Sequence, residues 1–226
     1  MIELKTDELI VLFRANQNLE KQQQMEQYMR NQYKFLGLQA AERRTLANEF
    51  LKEKSKEARE FGIDWKFIFL LWELPEREFQ LTALDYLRRV ENLLTLEDFP
   101  KLHKLVLSKS WWDTVDHLSR YFGILVQKEP LLLDEMKAWS VVDNIWIRRI
   151  AIIHQLNFKK STNKEILREI ILNNIEDEEF FIQKAIGWAL RQYAKSNEDW
   201  VRKFVGSYQN ELSKLSYREA TKSIRM

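Results

Sequence analysis

The chain has 226 residues, of which 45% are apolar and 31% charged, so a collagen-like or disordered protein is excluded. Only five glycines and three prolines are present, which nearly excludes all-β folds, because their many hairpins need turn residues. Cysteine is absent, which excludes disulfides and thiol chemistry, and the net charge of +2 does not by itself indicate a partner.

The N-terminal segment MIELKTDELIVLF mixes acidic residues among apolar ones. It has no basic region followed by a small-residue cleavage site, so it does not predict a signal peptide. The longest apolar run, from Phe67 to Trp72, is far shorter than the ~20 residues that a membrane-spanning helix needs. We therefore expect a soluble, cytoplasmic protein with no membrane contact.

Helical periodicity recurs along the chain. Apolar residues follow a helical spacing in two clear segments, Phe79, Ala83, Leu84 and Leu87, and then Trp111, Val115, Leu118 and Phe122. The bulky residues that open successive helices are 32 to 35 positions apart: Phe79, Trp111 or Trp112, Trp146 and Phe181. This spacing predicts an all-α solenoid of HEAT-like helix pairs with a concave groove, in one domain spanning 1–226. The alternative is a coincidental spacing within a compact helical domain.

Basic residues are concentrated near the C-terminus. From position 184 onward nine basic residues face four acidic ones, giving 9 − 4 = +5: Lys184, Arg191, Lys195, Arg202, Lys203, Lys214, Arg218, Lys222 and Arg225 against Glu198, Asp199, Glu211 and Glu219. Such a face can hold phosphates, but charge runs are also ordinary solvated helix surfaces.

Trp112 and Asp116 are one helical turn apart and next to the apolar stripe that begins at Trp111. An indole face and a carboxylate can together stabilise a cation, most strongly where water is excluded. The alternative is a surface aspartate beside a packed tryptophan. Asp113 fits an early-turn acid that complements the helix dipole.

A second mixed face carries Lys184, Trp188 and Arg191 on one helix. Interleaved basic and aromatic residues suit a sugar or base flanked by phosphates, although a tryptophan covered by long cationic side chains is also common packing. Arg148 and Arg149 follow Trp146, and either could be a structural bridge to an acid on the next repeat.

Known cofactor motifs are absent. The chain has no glycine-rich nucleotide loop, no GxSxG and no calcium loop, and its three histidines are not closely paired. We expect no metal and no cofactor, and interpret His103, His117 and His154 as structural, His117 beside Asp116 being the one worth testing.

Six blocks of the sequence carry a resemblance to a known family: YMRNQYKFLGLQAAERR (28–44), WELPEREFQLTALDYL (72–87), KSWWDTVD (109–116), DNIWIRRIAI (143–152), EEFFIQKAIGWALRQYAK (178–195) and LSYREATK (215–222). In order and spacing they resemble the AlkD-type DNA alkylation-repair glycosylases over nearly the whole chain. That resemblance implies a HEAT-like solenoid that grips duplex DNA and removes cationic N3- or N7-alkylpurines by hydrolysis of the N-glycosidic bond.

The resemblance also implies roles for individual residues. It places the catalytic aspartate at Asp116, two cleft tryptophans at Trp112 and Trp188, and a cleft arginine at Arg149, which would hold phosphates near the lesion. Groove residues that would bind the substrate are Tyr28 and Gln39, with Lys109, Lys184 and Arg191 as possible phosphate contacts.

The expected substrates are 3-methyladenine and 7-methylguanine, which are already cationic leaving groups and need no general acid. The expected partner is duplex DNA containing alkylated bases, bound by a monomer with no obligatory protein partner. Two alternatives stay open: a non-catalytic HEAT-like module that binds damaged or branched DNA, and a protein-interaction solenoid.

Overall fold

The computed structural model describes residues 2–224, with side chains from Thr6 onward. Within these residues the regular secondary structure is helical and contains no β-strand. The predicted all-α class is confirmed. The thirteen α-helices of the described residues are α1 Ile2–Ala15, α2 Leu19–Tyr28, α3 Ala40–Phe61, α4 Trp65–Glu73, α5 Arg77–Val90, α6 Phe99–Leu107, α7 Trp112–Lys128, α8 Leu132–Trp139, α9 Ile145–Ile153, α10 Lys164–Leu172, α11 Phe180–Ala194, α12 Glu198–Ser207 and α13 Lys214–Thr221.

The helices form two compact units, which divide between Leu94 and Thr95. The first contains α1–α5 and the second α6–α13. The single domain over 1–226 and its concave groove stay predictions.

Within each unit, alternate helices stack in the manner of an α-solenoid. In the second unit α7 packs on α9, α9 on α11 and α11 on α13, while α6, α8, α10 and α12 pack behind members of that row. In the first unit α1 packs on α3 and α3 on α5. The predicted repeat is confirmed, because each bulky residue that defines it lies in the first turn of its own helix: Phe79 in α5, Trp112 in α7, Trp146 in α9 and Phe181 in α11.

Local sequence determines where several of these helices begin. Asn144 caps α9, accepting from the backbone N–H groups of Trp146 and Ile147, and Asn163 caps α10 in the same way. In the sequence, Asp143 and Asn144 ahead of Trp146 predict an N-cap region, and the contacts of Asn144 confirm it. Gly187 lets α11 approach α13 closely, since a Cβ there would lie 2.4 Å from the Cβ of Glu219.

The apolar stripe of α7 faces the core of the second unit. Val115, Leu118 and Phe122 are fully buried, whereas Trp111, which precedes the helix, is only partly buried. Among the described residues, no helix combines the length and the apolar character that crossing a membrane requires.

Candidate functional site

The candidate site is centred on an ion pair between α7 and α9. Nε of Arg149 donates to Oδ1 of Asp116 at 2.7 Å, and Nη2 donates to Oδ2 at 2.8 Å. The side chain of Asp116 is 18% exposed and that of Arg149 only 6%. Both carboxylate oxygens are therefore oriented by one planar guanidinium, while the carboxylate still reaches solvent.

A third contact fixes the arginine itself. Nη1 of Arg149 donates to the backbone carbonyl of Phe181, in the first turn of α11, at 2.5 Å. The guanidinium thus bridges three successive helices of the stacked row, α7, α9 and α11. Sequence inspection could not identify this acceptor, because a backbone carbonyl leaves no signal in residue identity.

The position of Arg149 disagrees with its expected contact to DNA phosphates. The Arg149 side chain is only 6% exposed and already binds a carboxylate and a carbonyl, which leaves little of the guanidinium for a phosphate. Its hydrogen bonds favour a role in orienting Asp116 over a phosphate contact. The suggestion of a bridge to an acid on the next repeat fits Arg148, whose Nη2 donates to Asp177, just before α11, at 2.9 Å. The acid that Arg149 binds lies instead on the preceding helix α7.

The two candidate tryptophans lie on the outer helices of the same three. Trp112 is the first residue of α7, one turn before Asp116, and Trp188 lies on α11 seven residues after Phe181. Both are partly exposed. That their indole faces contact an apolar or cationic ligand stays a prediction.

An aromatic cluster lies beside the ion pair. The rings of Trp111, Trp146 and Phe181 contact each other with centroids 5.0 to 5.5 Å apart, and Phe180 contacts Phe181 at 5.3 Å. Because Phe181 also supplies the carbonyl that Arg149 binds, this cluster stabilises the backbone that holds the arginine.

Lys184 and Arg191 meet on the buried carboxylate of Glu219 from α13. Lys184 lies 3.0 Å from Oε1, Lys222 lies 2.6 Å from the same oxygen, and Arg191 pairs with Oε2. The hydrogen bond from Lys222, followed by those from Lys184 and Arg191, lowers the pKa of Glu219 to about 2. Three cations around one anion leave a local charge of 3 − 1 = +2. Sequence analysis counted Glu219 only as an acid of the tail and missed this role.

The other predicted binding residues are placed separately. Lys109 lies between α6 and α7 with a left-handed φ of 51°. Tyr28 ends α2 and is 73% exposed, and exposed Gln39 precedes α3. These two belong to the first unit, so their presence in one groove with Asp116 stays a prediction. Arg225 lies outside the described residues.

All three histidines lie among the described residues, and the ring of His103 stacks on that of Trp139 with centroids 5.0 Å apart. His154 is buried, and its Nδ1 lies 2.7 Å from the carbonyl of Ala151. Burial lowers the pKa of His154 to about 4, in keeping with a neutral structural histidine. His117, the histidine selected for testing, is exposed.

Comparisons with known proteins match most of the chain. The family model described as DNA alkylation repair enzyme matches residues 9–224. A solved structure of a predicted DNA alkylation repair enzyme from Enterococcus faecalis is 35% identical, with a TM-score of 0.82, over 92% of this chain and 96% of that one. The structure of smu.31 from Streptococcus mutans UA159 is 21% identical, with a TM-score of 0.58, over 81% of this chain and 98% of that one, and shares the fold. No curated protein matches the chain significantly.

Proposed function

Because the chain belongs to the family of DNA alkylation repair enzymes, we propose that it is a monofunctional glycosylase. Its substrates would be cationic N3- and N7-alkylated purines in duplex DNA, with 3-methyladenine and 7-methylguanine as the simplest cases. The observation that carries this proposal is the Asp116 carboxylate, held at both oxygens by Arg149 yet still 18% exposed.

The reaction breaks one bond and forms one. The bond between C1′ and the purine nitrogen breaks, and its electron pair neutralises the cationic base as it leaves. Positive charge develops on the sugar, and a water oxygen bonds to C1′. The proton of that water passes to a proton acceptor of the protein or to solvent. The product is an abasic site, and neither a general acid nor a cofactor is needed, because the leaving group already carries its charge.

Asp116 supplies what this reaction requires from the protein. A fixed anion beside the sugar stabilises the developing cation, and the same carboxylate can align the attacking water. Arg149 keeps both oxygens in one orientation, so little reorganisation is needed when the charge develops. The positive charge of Arg149 partly offsets the negative charge of Asp116. Arg149 therefore contributes by orienting the carboxylate and not by strengthening the attraction between Asp116 and the sugar cation.

The neighbouring residues would bind the rest of the nucleotide. The indoles of Trp112 and Trp188 offer π-faces to the deoxyribose or to the cationic base. Lys109, with Lys184 and Arg191 beside Glu219, would bind phosphates, and the +2 charge left at that cluster suits this purpose. Tyr28 and Gln39 would contact the duplex from the first unit.

Selectivity would then depend on the charge and lability of the lesion, and a base-release assay tests this. Duplexes containing 7-methylguanine, 3-methyladenine, uracil or hypoxanthine are incubated with the protein, and free bases and strand breaks are measured. We expect release of the two methylpurines, no release of uracil or hypoxanthine, and intact strands. Efficient uracil release, or strand cleavage by the protein itself, would contradict the mechanism. Duplex binding without any release would indicate a non-catalytic DNA-binding module.

A further inference from the structure

A buried carboxylate in the first unit holds the backbone that leads to Gln39. Glu78, the second residue of α5, is fully buried. Its Oε1 accepts from the backbone N–H groups of Leu36 and Gly37 at 3.0 Å and of Leu38 at 3.1 Å, and Oε2 accepts from Leu36 at 3.0 Å. One side chain therefore binds three consecutive amides that lie about 40 residues before it.

The same segment is fixed from α2. Gly37 has a φ of 86°, and a Cβ at this position would lie 2.1 Å from the carbonyl oxygen of Asn18. The N–H of Asn18 donates to the carbonyl of Leu36 at 2.8 Å. The segment thus has a left-handed conformation that suits glycine, and polar contacts hold it on both sides.

At its end the segment presents an exposed amide side chain. Gln39 directly follows the three bound amides and occupies the N-cap position of α3, yet makes no capping hydrogen bond with its side chain. Gln39 is the next residue after the backbone that Glu78 binds, so the position of Gln39 is determined by that of residues 36–38.

We propose that Glu78 is a positioning residue for DNA binding: it fixes residues 36–38 so that Gln39 is presented to the duplex in a single orientation. The inference rests on the proposed function, in which Gln39 contacts DNA. A contact that is ordered before binding loses less conformational entropy on association. Glu78 itself does not touch DNA.

The test is a double-mutant cycle on the concentration dependence of 7-methylguanine release under single-turnover conditions. Gln39→Ala removes the contact, and Glu78→Gln replaces one acceptor oxygen with a donor and removes the charge. Each variant should raise the half-saturating protein concentration about fivefold, as expected for one hydrogen bond, with an unchanged maximal rate. The double variant should be less than about twofold weaker than Glu78→Gln alone, because both changes remove the same contact.

Asp64→Asn is the matched control, since Asp64 is also a carboxylate of the first unit that accepts from a backbone N–H. Its hydrogen bonds join Phe67 and Lys54 and not residues 36–38. Hydrogen exchange at the amides of residues 36–38 should accelerate in Glu78→Gln and not in Asp64→Asn. If Glu78→Gln does not fold, Glu78→Asp, which keeps the charge with a shorter reach, takes its place in the cycle.

The results separate this inference from the function on which it rests. Losses that multiply in the double variant, an unchanged half-saturation in Glu78→Gln, or an equal loss in Asp64→Asn would overturn the positioning role while leaving the glycosylase intact. A wild-type protein that releases no methylpurine would refute the proposed function and this inference together.

Discussion

Replacement of Arg149 separates its two possible roles, orienting Asp116 and binding phosphate. Arg149→Met deletes three hydrogen bonds of 2.5 to 2.8 Å and leaves a carboxylate that is mostly buried. Breaking a buried ion pair costs about 3–5 kcal/mol, and the partial exposure of Asp116 places the expected loss at ~3 kcal/mol. At ~2–4 °C per kcal/mol for a chain of this size, the melting temperature should fall by about 6–12 °C.

The rate should fall as well, because Asp116 loses its fixed orientation. A misplaced catalytic group can cost about 10²-fold, so we expect a single-turnover rate about 10²-fold lower in both Arg149→Met and Arg149→Lys. Lysine keeps the charge but cannot replace the planar fork that binds both oxygens. The assay is release of 7-methylguanine at saturating protein and at a temperature where every variant is folded.

Arg148→Lys is the control, because Arg148 makes the neighbouring pair with Asp177 and its side chain is only 15% exposed. It should lower the melting temperature and leave the rate unchanged. The salt dependence of duplex binding gives the second readout, since each phosphate contact contributes a slope of about −0.9. A wild-type rate in Arg149→Lys, or a slope that becomes shallower by about one unit in Arg149→Met, would refute the orienting role.

Three further predictions concern the scaffold of the second unit. The pKa of His154 is lowered to about 4, below its unfolded value of ~6.5, so its contribution to the unfolding free energy is complete above pH ~6.5 and is lost as the pH falls toward 4. In His154→Gln the unfolding free energy, measured by urea titration, should depend less on pH between these two values. The pKa of Glu219, lowered to about 2, gives a second loss as the pH falls from ~4.5 toward 2, which Glu219→Gln should remove. Gly187→Ala should destabilise the fold by ~2 kcal/mol in the same titration, because its Cβ would clash with Ser216 and Glu219. An unchanged pH profile in either variant, or a neutral Gly187→Ala, would contradict the corresponding account.

The helical fold could be predicted because its signals are local. Apolar periodicity located α5 and α7, the spacing of bulky residues located the helix pairs, and Asn144 signalled the start of α9. Each of these depends on residues within one or two helical turns. The division into two compact units at Leu94 has no comparable signal, since no proline-rich or glycine-rich linker lies there.

The candidate site was harder to predict, because its contacts join residues far apart in the chain. Arg148 and Arg149 are adjacent and chemically identical, and only the rotation of α9 decides that Arg149 meets Asp116, 33 positions away, while Arg148 meets Asp177. Glu78 shows the same limit: its backbone partners lie 40 to 42 positions away and leave no trace in residue identity.

The central claim, that Asp116 drives base release, is tested most directly by comparing Asp116→Asn with Asp177→Asn. Both aspartates pair with an arginine of α9 and are almost equally exposed, at 18% and 17%. In single-turnover release of 7-methylguanine from saturated duplex, Asp116→Asn should lower the rate by about 10²–10³ and keep DNA binding. Asp177→Asn should retain the wild-type rate. A rate for Asp116→Asn within a few-fold of wild type, or an equal loss in both variants, would contradict the account.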